Sequence, residues 1–126
     1  MTNAEFLAAF EACSLDEFHH RDHIRAAWCY LAANPLLEAV QRFTASLKRF
    51  AGAHGQPQLY HETITWAFLF LVHERMRAGE AWNAFAARNP DLLAWKPSIL
   101  DRYYRAETLA SERARRTFVL PDGALG

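Results

Sequence analysis

Histidines are concentrated in the first half of the chain, which holds five of the six. Three of them lie within FHHRDHIRAAWCYL, residues 18–31. Residues three or four positions apart share one face of a helix, so His20 and His23 form such a pair, as do His19 and His23. The same face continues through apolar residues to Tyr30. This pattern predicts a helix that directs His23 toward the protein interior.

A second polar pair opens the most apolar segment, YHETITWAFLFLVHE, residues 60–74. If the helices that carry the two segments are neighbours in a bundle, three imidazoles and one carboxylate meet. Zinc, iron, nickel and copper all accept that ligand set. We therefore expect these residues to bind a divalent transition metal, with zinc and iron as the first candidates. The expected metal ligands are His20, His23, His61 and Glu62.

Two roles are open to Glu62, either the fourth metal ligand or the catalytic base for a metal-bound water. The second role predicts a small metal-dependent enzyme that acts on a small-molecule substrate. His19 is an alternative to His20 as ligand, because both pair with His23 on the helix. His73 lies about three turns beyond Glu62 on a regular helix, so we expect it outside the site.

Two interpretations without a metal stay open. In the first, the same histidines, Glu62 and Tyr60 form hydrogen bonds with a polar ligand over an aromatic pocket. In the second, the chain is a structural or interaction protein, with the polar cluster as a buried capping network. That protein would be a homodimer formed through an amphipathic helix. The spacing of the residues alone does not separate these interpretations.

Capping signals divide the chain into helix-length segments. Thr2 and Glu5 form a capping box at the start of the first helix. Pro35 is expected at the first position of a long amphipathic helix, and Gly79 is expected to end the apolar helix. The predicted helices cover about residues 3–13, 21–33, 35 to the glycines at 52 and 55, 60–78, 80–88, 98–104 and 108–116.

The fold class follows from the hydrophobic periodicity. Apolar residues recur at helical spacing, and no long segment alternates with the period of two that is typical of strands. We predict an all-α fold, a compact bundle of about five to seven helices. Residues 1–126 are expected to form a single domain with an extended tail from about residue 117.

Composition and charge argue against several functional classes. The formal net charge is +0 and the pI is near 7.0, so no global positive field would attract nucleic acid. The apolar run at 64–72 is far shorter than the roughly 20 residues that cross a bilayer. The two cysteines lack a CxxC spacing, and the N-terminus lacks the basic start of a signal peptide. We expect a cytoplasmic protein without nucleic-acid or membrane partners.

The two histidine segments resemble the pattern of a family of small bacterial proteins. That pattern is H-x-x-H-L/I-x-x-A-W-x-Y-L followed downstream by Y-H-E-T. The matching positions here are His20, His23, Ile24, Ala27, Trp28, Tyr30, Leu31, Tyr60, His61, Glu62 and Thr63. The segment RYYRAETLASERARRTFVLPD is similar to the C-terminal end of the family, so the resemblance extends from Phe18 to Asp122. It implies an all-helical cytoplasmic protein and assigns no reaction.

Overall fold

A computed structural model of the chain describes residues 1–123, in which there are eight α-helices and no strand. The all-α prediction is confirmed. The helices are α1 (Asn3–Glu11), α2 (His20–Ala33), α3 (Leu36–Ala53), α4 (Glu62–Arg75), α5 (Trp82–Arg88), α6 (Pro90–Leu93), α7 (Ala106–Leu109) and α8 (Glu112–Arg116). Two 3₁₀ turns cover Pro57–Leu59 and Ile99–Arg102.

The predicted capping box at the start of α1 is present. The backbone N–H of Glu5 donates to the Thr2 hydroxyl oxygen at 3.0 Å, and the N–H of Thr2 donates to the Glu5 carboxylate at 2.8 Å. Both bonds satisfy backbone donors that a helix start leaves without partners. Helix α3 begins at Leu36, one residue after Pro35 and close to the predicted start.

The apolar helix α4 is shorter at both ends than the sequence predicts. It starts at Glu62 because His61 takes the extended backbone conformation of an N-cap residue. It ends at Arg75, whose carbonyl oxygen accepts a 2.7 Å hydrogen bond from the guanidinium of Arg88. This hydrogen bond gives a partner to a carbonyl oxygen that has none within the helix. Gly79, with φ of +76°, belongs to the turn that follows and does not end the helix.

The C-terminal part of the chain has shorter helical segments than the sequence predicts. One predicted helix is only the 3₁₀ turn Ile99–Arg102, and the other divides into α7 and α8 at Ser111. The Ser111 hydroxyl accepts from the N–H of Ala114 and so caps α8. Residues 117–123 contain no α-helix and are held to α4 through Thr63, which binds the backbone of Thr117 and Val119. The last three residues of the predicted tail lie outside the described residues.

The core lies where α2, α3 and α4 meet. Five of its fully buried side chains are Phe10, Ile24, Phe43, Phe68 and Leu69. As the apolar sequence indicates, α4 is central, because it packs against α2, α3, α6 and α8. None of the helices in residues 1–123 has the length and apolar character needed to cross a membrane.

Candidate functional site

An open cleft of about 880 Å³ lies where α2, α3 and α4 meet the loops around them. Five of the six histidines line it: His19, His20, His23, His54 and His61. We call it the histidine cleft. The three histidines predicted to meet therefore line one concavity, to which α2, α3, α4 and the loops beside them all contribute.

His20 is the first residue of α2, and its ring is half-buried. Its Nε2 lies 2.8 Å from the carbonyl oxygen of Leu92. Since a carbonyl can only accept, Nε2 carries the proton and donates, which leaves a lone pair on Nδ1 of the neutral ring. Burial lowers the pKa of His20 below its ordinary value, and the bond to Leu92 opposes this in part. The ring is therefore neutral at pH 7, with Nδ1 as an acceptor.

His23 lies one turn further along α2, among aromatic rings. Its edge-to-face contacts with Phe43 and Phe68 have centroid distances of 5.1 and 6.5 Å, and the Phe18 ring is tilted against it at 6.1 Å. Its Nδ1 is buried and has no hydrogen-bond partner in the described part of the chain. Burial, with a smaller contribution from the like charge of His20, lowers the pKa of His23 to about 3. His23 is thus a neutral ring with unused hydrogen-bonding capacity.

His61 already uses both ring nitrogens. Nδ1 accepts from the backbone N–H of Ile64 at 3.1 Å, which caps the start of α4. Nε2 lies 2.7 Å from the carbonyl oxygen of Leu109, to which it donates. His61 therefore ties α4 to α7, and it could bind a metal only by giving up one of these bonds.

Glu62 stands beside the histidine cleft, bound to Tyr60. The Tyr60 hydroxyl donates to the Glu62 carboxylate, and Tyr60 lines the cleft while Glu62 does not. Burial, and then the nearby Glu62 carboxylate, raise the pKa of Tyr60 well above its ordinary value. The hydroxyl stays protonated, so Glu62 is occupied as its acceptor.

The metal site predicted from the sequence stays a prediction. Within residues 1–123, no group of three or more His, Cys, Asp or Glu side chains is arranged to hold a metal ion. The ring centroids of His20 and His23 are 6.5 Å apart. A site made of His20, His23, His61 and Glu62 would require His61 to release one of its two hydrogen bonds and Glu62, which does not line the cleft, to turn toward it.

The remaining histidines differ in their surroundings. His19 is exposed and lies 3.2 Å from the Glu17 carboxylate. His54 follows α3, with its ring nitrogens each 3.0 Å from a carbonyl oxygen, those of Phe50 and Leu15. Sequence reasoning missed His54 because it stands in a glycine-containing loop with no helical spacing to the others. The last histidine, at position 73, is exposed in the final turn of α4 and does not line the cleft.

Aromatic and apolar side chains complete the wall of the cleft. Phe68 forms the floor and is 0% exposed, and the His20 ring packs on it at 4.8 Å between centroids. Two large apolar side chains at the cleft are open to solvent: Leu59 is 67% exposed and Trp95 is 50% exposed. The cleft thus combines an apolar, ring-lined surface with a few inward polar atoms, as ligand pockets do.

Comparison of the chain with protein-family models, curated proteins and solved structures finds no match. The resemblance carried by the two histidine segments therefore stays a prediction.

Proposed function

We propose that this protein binds a small organic molecule in the histidine cleft. The observation that carries the proposal is the unused hydrogen-bonding capacity of His20 and His23 in an open, ring-lined concavity. Its volume of about 880 Å³ falls within the range of ligand pockets. No catalytic step is needed for this function.

The unpartnered nitrogen of His23 is the first support. Buried polar atoms of native proteins nearly always have a hydrogen-bond partner. Leaving one without a partner costs about 1–3 kcal/mol. A ligand that supplies the missing partner would recover part of that free energy on binding. A water molecule or a ligand group that reaches this nitrogen would remove that local cost.

Apolar surface at the cleft is the second support. Trp95 is half-exposed next to the His20 ring, with 5.1 Å between ring centroids. Leu59 is exposed on the 3₁₀ turn after α3. Covering such surface contributes roughly 25 cal/mol for each Å² removed from water. A ligand that reaches from His23 to Trp95 would therefore gain from both polar and apolar contacts.

Titration of ¹⁵N-labelled protein with a library of small aromatic fragments tests the proposal. We expect saturable ¹H–¹⁵N shifts that cluster in residues 18–23, 47–51 and 93–95. Ala51→Trp, a change at the wall of the cleft, should abolish them, while His73→Gln on the exposed end of α4 should not. Shifts confined to other surfaces, or no saturable shift at millimolar fragment, would contradict the proposal.

Divalent-metal binding is the second candidate, and one observation favours it. Metal-ligating histidines usually donate their second ring N–H to a carbonyl or carboxylate, and His20 makes such a bond to Leu92. Its Nδ1 and a nitrogen of His23 would be the first two ligands. His61 and Glu62 would join only after rearrangement, with Glu62 as ligand or as base for a bound water.

Separate additions of zinc and iron(II), the latter without oxygen, test the metal candidate. A metal that binds the native state raises the melting temperature. We expect that rise to disappear in His20→Ala and His23→Ala if the candidate is right, and to persist in His73→Gln. Unchanged melting temperatures with both metals would reject it and leave the organic-ligand proposal standing.

A further inference from the structure

We infer that the histidine cleft selects neutral, flat aromatic molecules that carry an N–H or O–H donor, with Nδ1 of His20 as the acceptor. This inference rests on the proposed binding function and specifies its ligand class. Three properties of the cleft carry it: the fixed tautomer of one histidine, the ring-lined wall, and the position of the charged groups.

The tautomer of His20 sets the hydrogen-bonding requirement. Its Nε2–H donates to the backbone of Leu92, a residue that is fully buried at the end of α6. Because that carbonyl is fixed in the helix, the ring cannot easily change its tautomer, and Nδ1 presents a lone pair. A ligand without a donor would cover Nδ1 and leave it unpartnered, so it should bind more weakly by about the net free energy of one hydrogen bond.

The rings around His20 set the shape requirement. Phe68 meets the His20 ring at an interplanar angle of 60°, and Trp95 meets it at 42°. Phe18 and Phe50, with centroids 5.0 Å apart, form another part of the wall. Aromatic pairs in tilted or offset geometry contribute about 0.5–1.5 kcal/mol beyond the area they bury. A flat aromatic ligand can make several such contacts at once.

The charged side chains set the charge requirement. Apart from histidines, the described residues that line the cleft include one carboxylate, Asp16, and one guanidinium, Arg21, and both residues are exposed. Arg21 lies over the Trp82 ring, 5.8 Å from its centroid. The Lys48 ammonium lies over the Tyr60 ring and does not line the cleft. An ionic ligand group at the floor would be buried without an opposite charge, which is costly.

Three indoles test the inference by calorimetry at pH 7.5. Indole is neutral and has an N–H, 1-methylindole lacks that donor, and indole-5-carboxylate keeps the donor but is an anion. We expect indole to bind about fivefold more tightly than 1-methylindole, because one hydrogen bond makes a net contribution of that size to affinity. We expect indole-5-carboxylate to bind at least as weakly as 1-methylindole. In His20→Phe, indole and 1-methylindole should bind with equal affinity. In His73→Gln, the difference between their affinities should remain.

The wild-type protein supplies a readout that does not depend on folding of the variant. The ¹⁵N resonance of His20 Nδ1 should shift with indole and stay unchanged with 1-methylindole. Equal affinities for these two, with both in the cleft, would overturn the donor requirement and leave the binding function intact. If indole-5-carboxylate bound most tightly of the three, the inference that the cleft selects neutral molecules would be wrong. If none of the three binds, the ligand class is wrong, and the fragment titration separately decides whether the cleft binds molecules at all.

Discussion

Two polar clusters of this protein use their hydrogen bonds in opposite ways. The first, which we call the arginine cluster, joins the end of α4 to α5 and α6; its members are Arg75, Glu80, Arg88, Asn89 and Asp91. Arg75 donates two hydrogen bonds to Asp91 at 2.7 and 2.9 Å, and Arg88 donates two to Glu80 at 2.6 and 2.9 Å. Asn89 is buried and both accepts from Arg75 and donates to Phe85.

The histidine cleft has the opposite character. Within residues 1–123, Nδ1 of His20 accepts no hydrogen bond and Nδ1 of His23 has no partner. Both rings face an open concavity, whereas the arginine cluster connects packed helices. The comparison indicates that polar groups with complete hydrogen bonds here serve the fold. Under the proposed function, those with incomplete bonds at an open, ring-lined surface are the groups available to a ligand.

Replacing the floor of the cleft should have the largest effect. Phe68 is fully buried, so Phe68→Ala should lower the free energy of unfolding by about 3–5 kcal/mol, since it leaves a cavity. Phe70→Ala is a matched control on the same helix. Its ring is half-buried against Trp66 and Phe118 and should cost clearly less. Urea unfolding measures both; equal losses would show that α4 does not present Phe68 to the core.

As the pH falls, the cleft histidines should reduce the stability of the protein before the carboxylates of the arginine cluster are protonated. An unfolded histidine takes up a proton near pH 6.5, while folded His23 does so at about 3. Between these values the unfolded state binds more protons, so stability falls as the pH falls. From pH 7 to 5 we expect His23 to account for a loss of about 1–2 kcal/mol.

Carboxylates with lowered pKa, such as Asp91 and Glu80, lose their contribution only below their ordinary values of 3.8 and 4.5. Urea unfolding between pH 7 and 5 therefore isolates the histidines. His23→Phe should reduce the dependence and leave the part due to His20, whose pKa is also lowered, and His73→Gln should leave it unchanged. A wild-type stability that is constant over this range would mean that the His23 ring is not held neutral by burial.

A smaller effect on stability should follow from a change in the arginine cluster. Asp91→Asn removes the charge that Arg75 binds, and because the pair is partly exposed the loss should be about 1 kcal/mol. Fragment binding should be unaffected. His20→Phe should instead change binding, because it removes the acceptor that distinguishes indole from 1-methylindole. If Asp91→Asn abolished binding, the separation between a structural and a binding cluster would be wrong.

The elements that the sequence predicted well are those whose signals are local. The capping box of Thr2 and Glu5 and the helical spacing of His20 and His23 depend only on neighbouring residues. The central position of α4 could be expected from its nearly uniform apolar character. These features made a shared location of His20, His23 and His61 a hypothesis that depended on α2 and α4 being neighbours, and the two helices do pack together.

What the sequence could not predict depends on distant partners. His61 caps α4 and binds the backbone of Leu109, 48 positions away, so its use of both nitrogens requires knowledge of how α7 packs. His54 reaches the backbone of Leu15, 39 positions away. Likewise, the carbonyl oxygen of Arg75 at the end of α4 accepts from Arg88, 13 positions away. Such contacts decide which polar groups remain open for binding.

The most direct test of the binding function is a ¹⁵N spectrum of the imidazole side chains during titration with the tightest-binding fragment. The open cleft predicts saturable shifts of His20 and His23 with one common dissociation constant. His73, which is exposed and outside the cleft, should not shift, and His61 should keep the tautomer fixed by Ile64 and Leu109. Fragment binding that leaves both His20 and His23 unshifted would contradict the assignment of function to the histidine cleft.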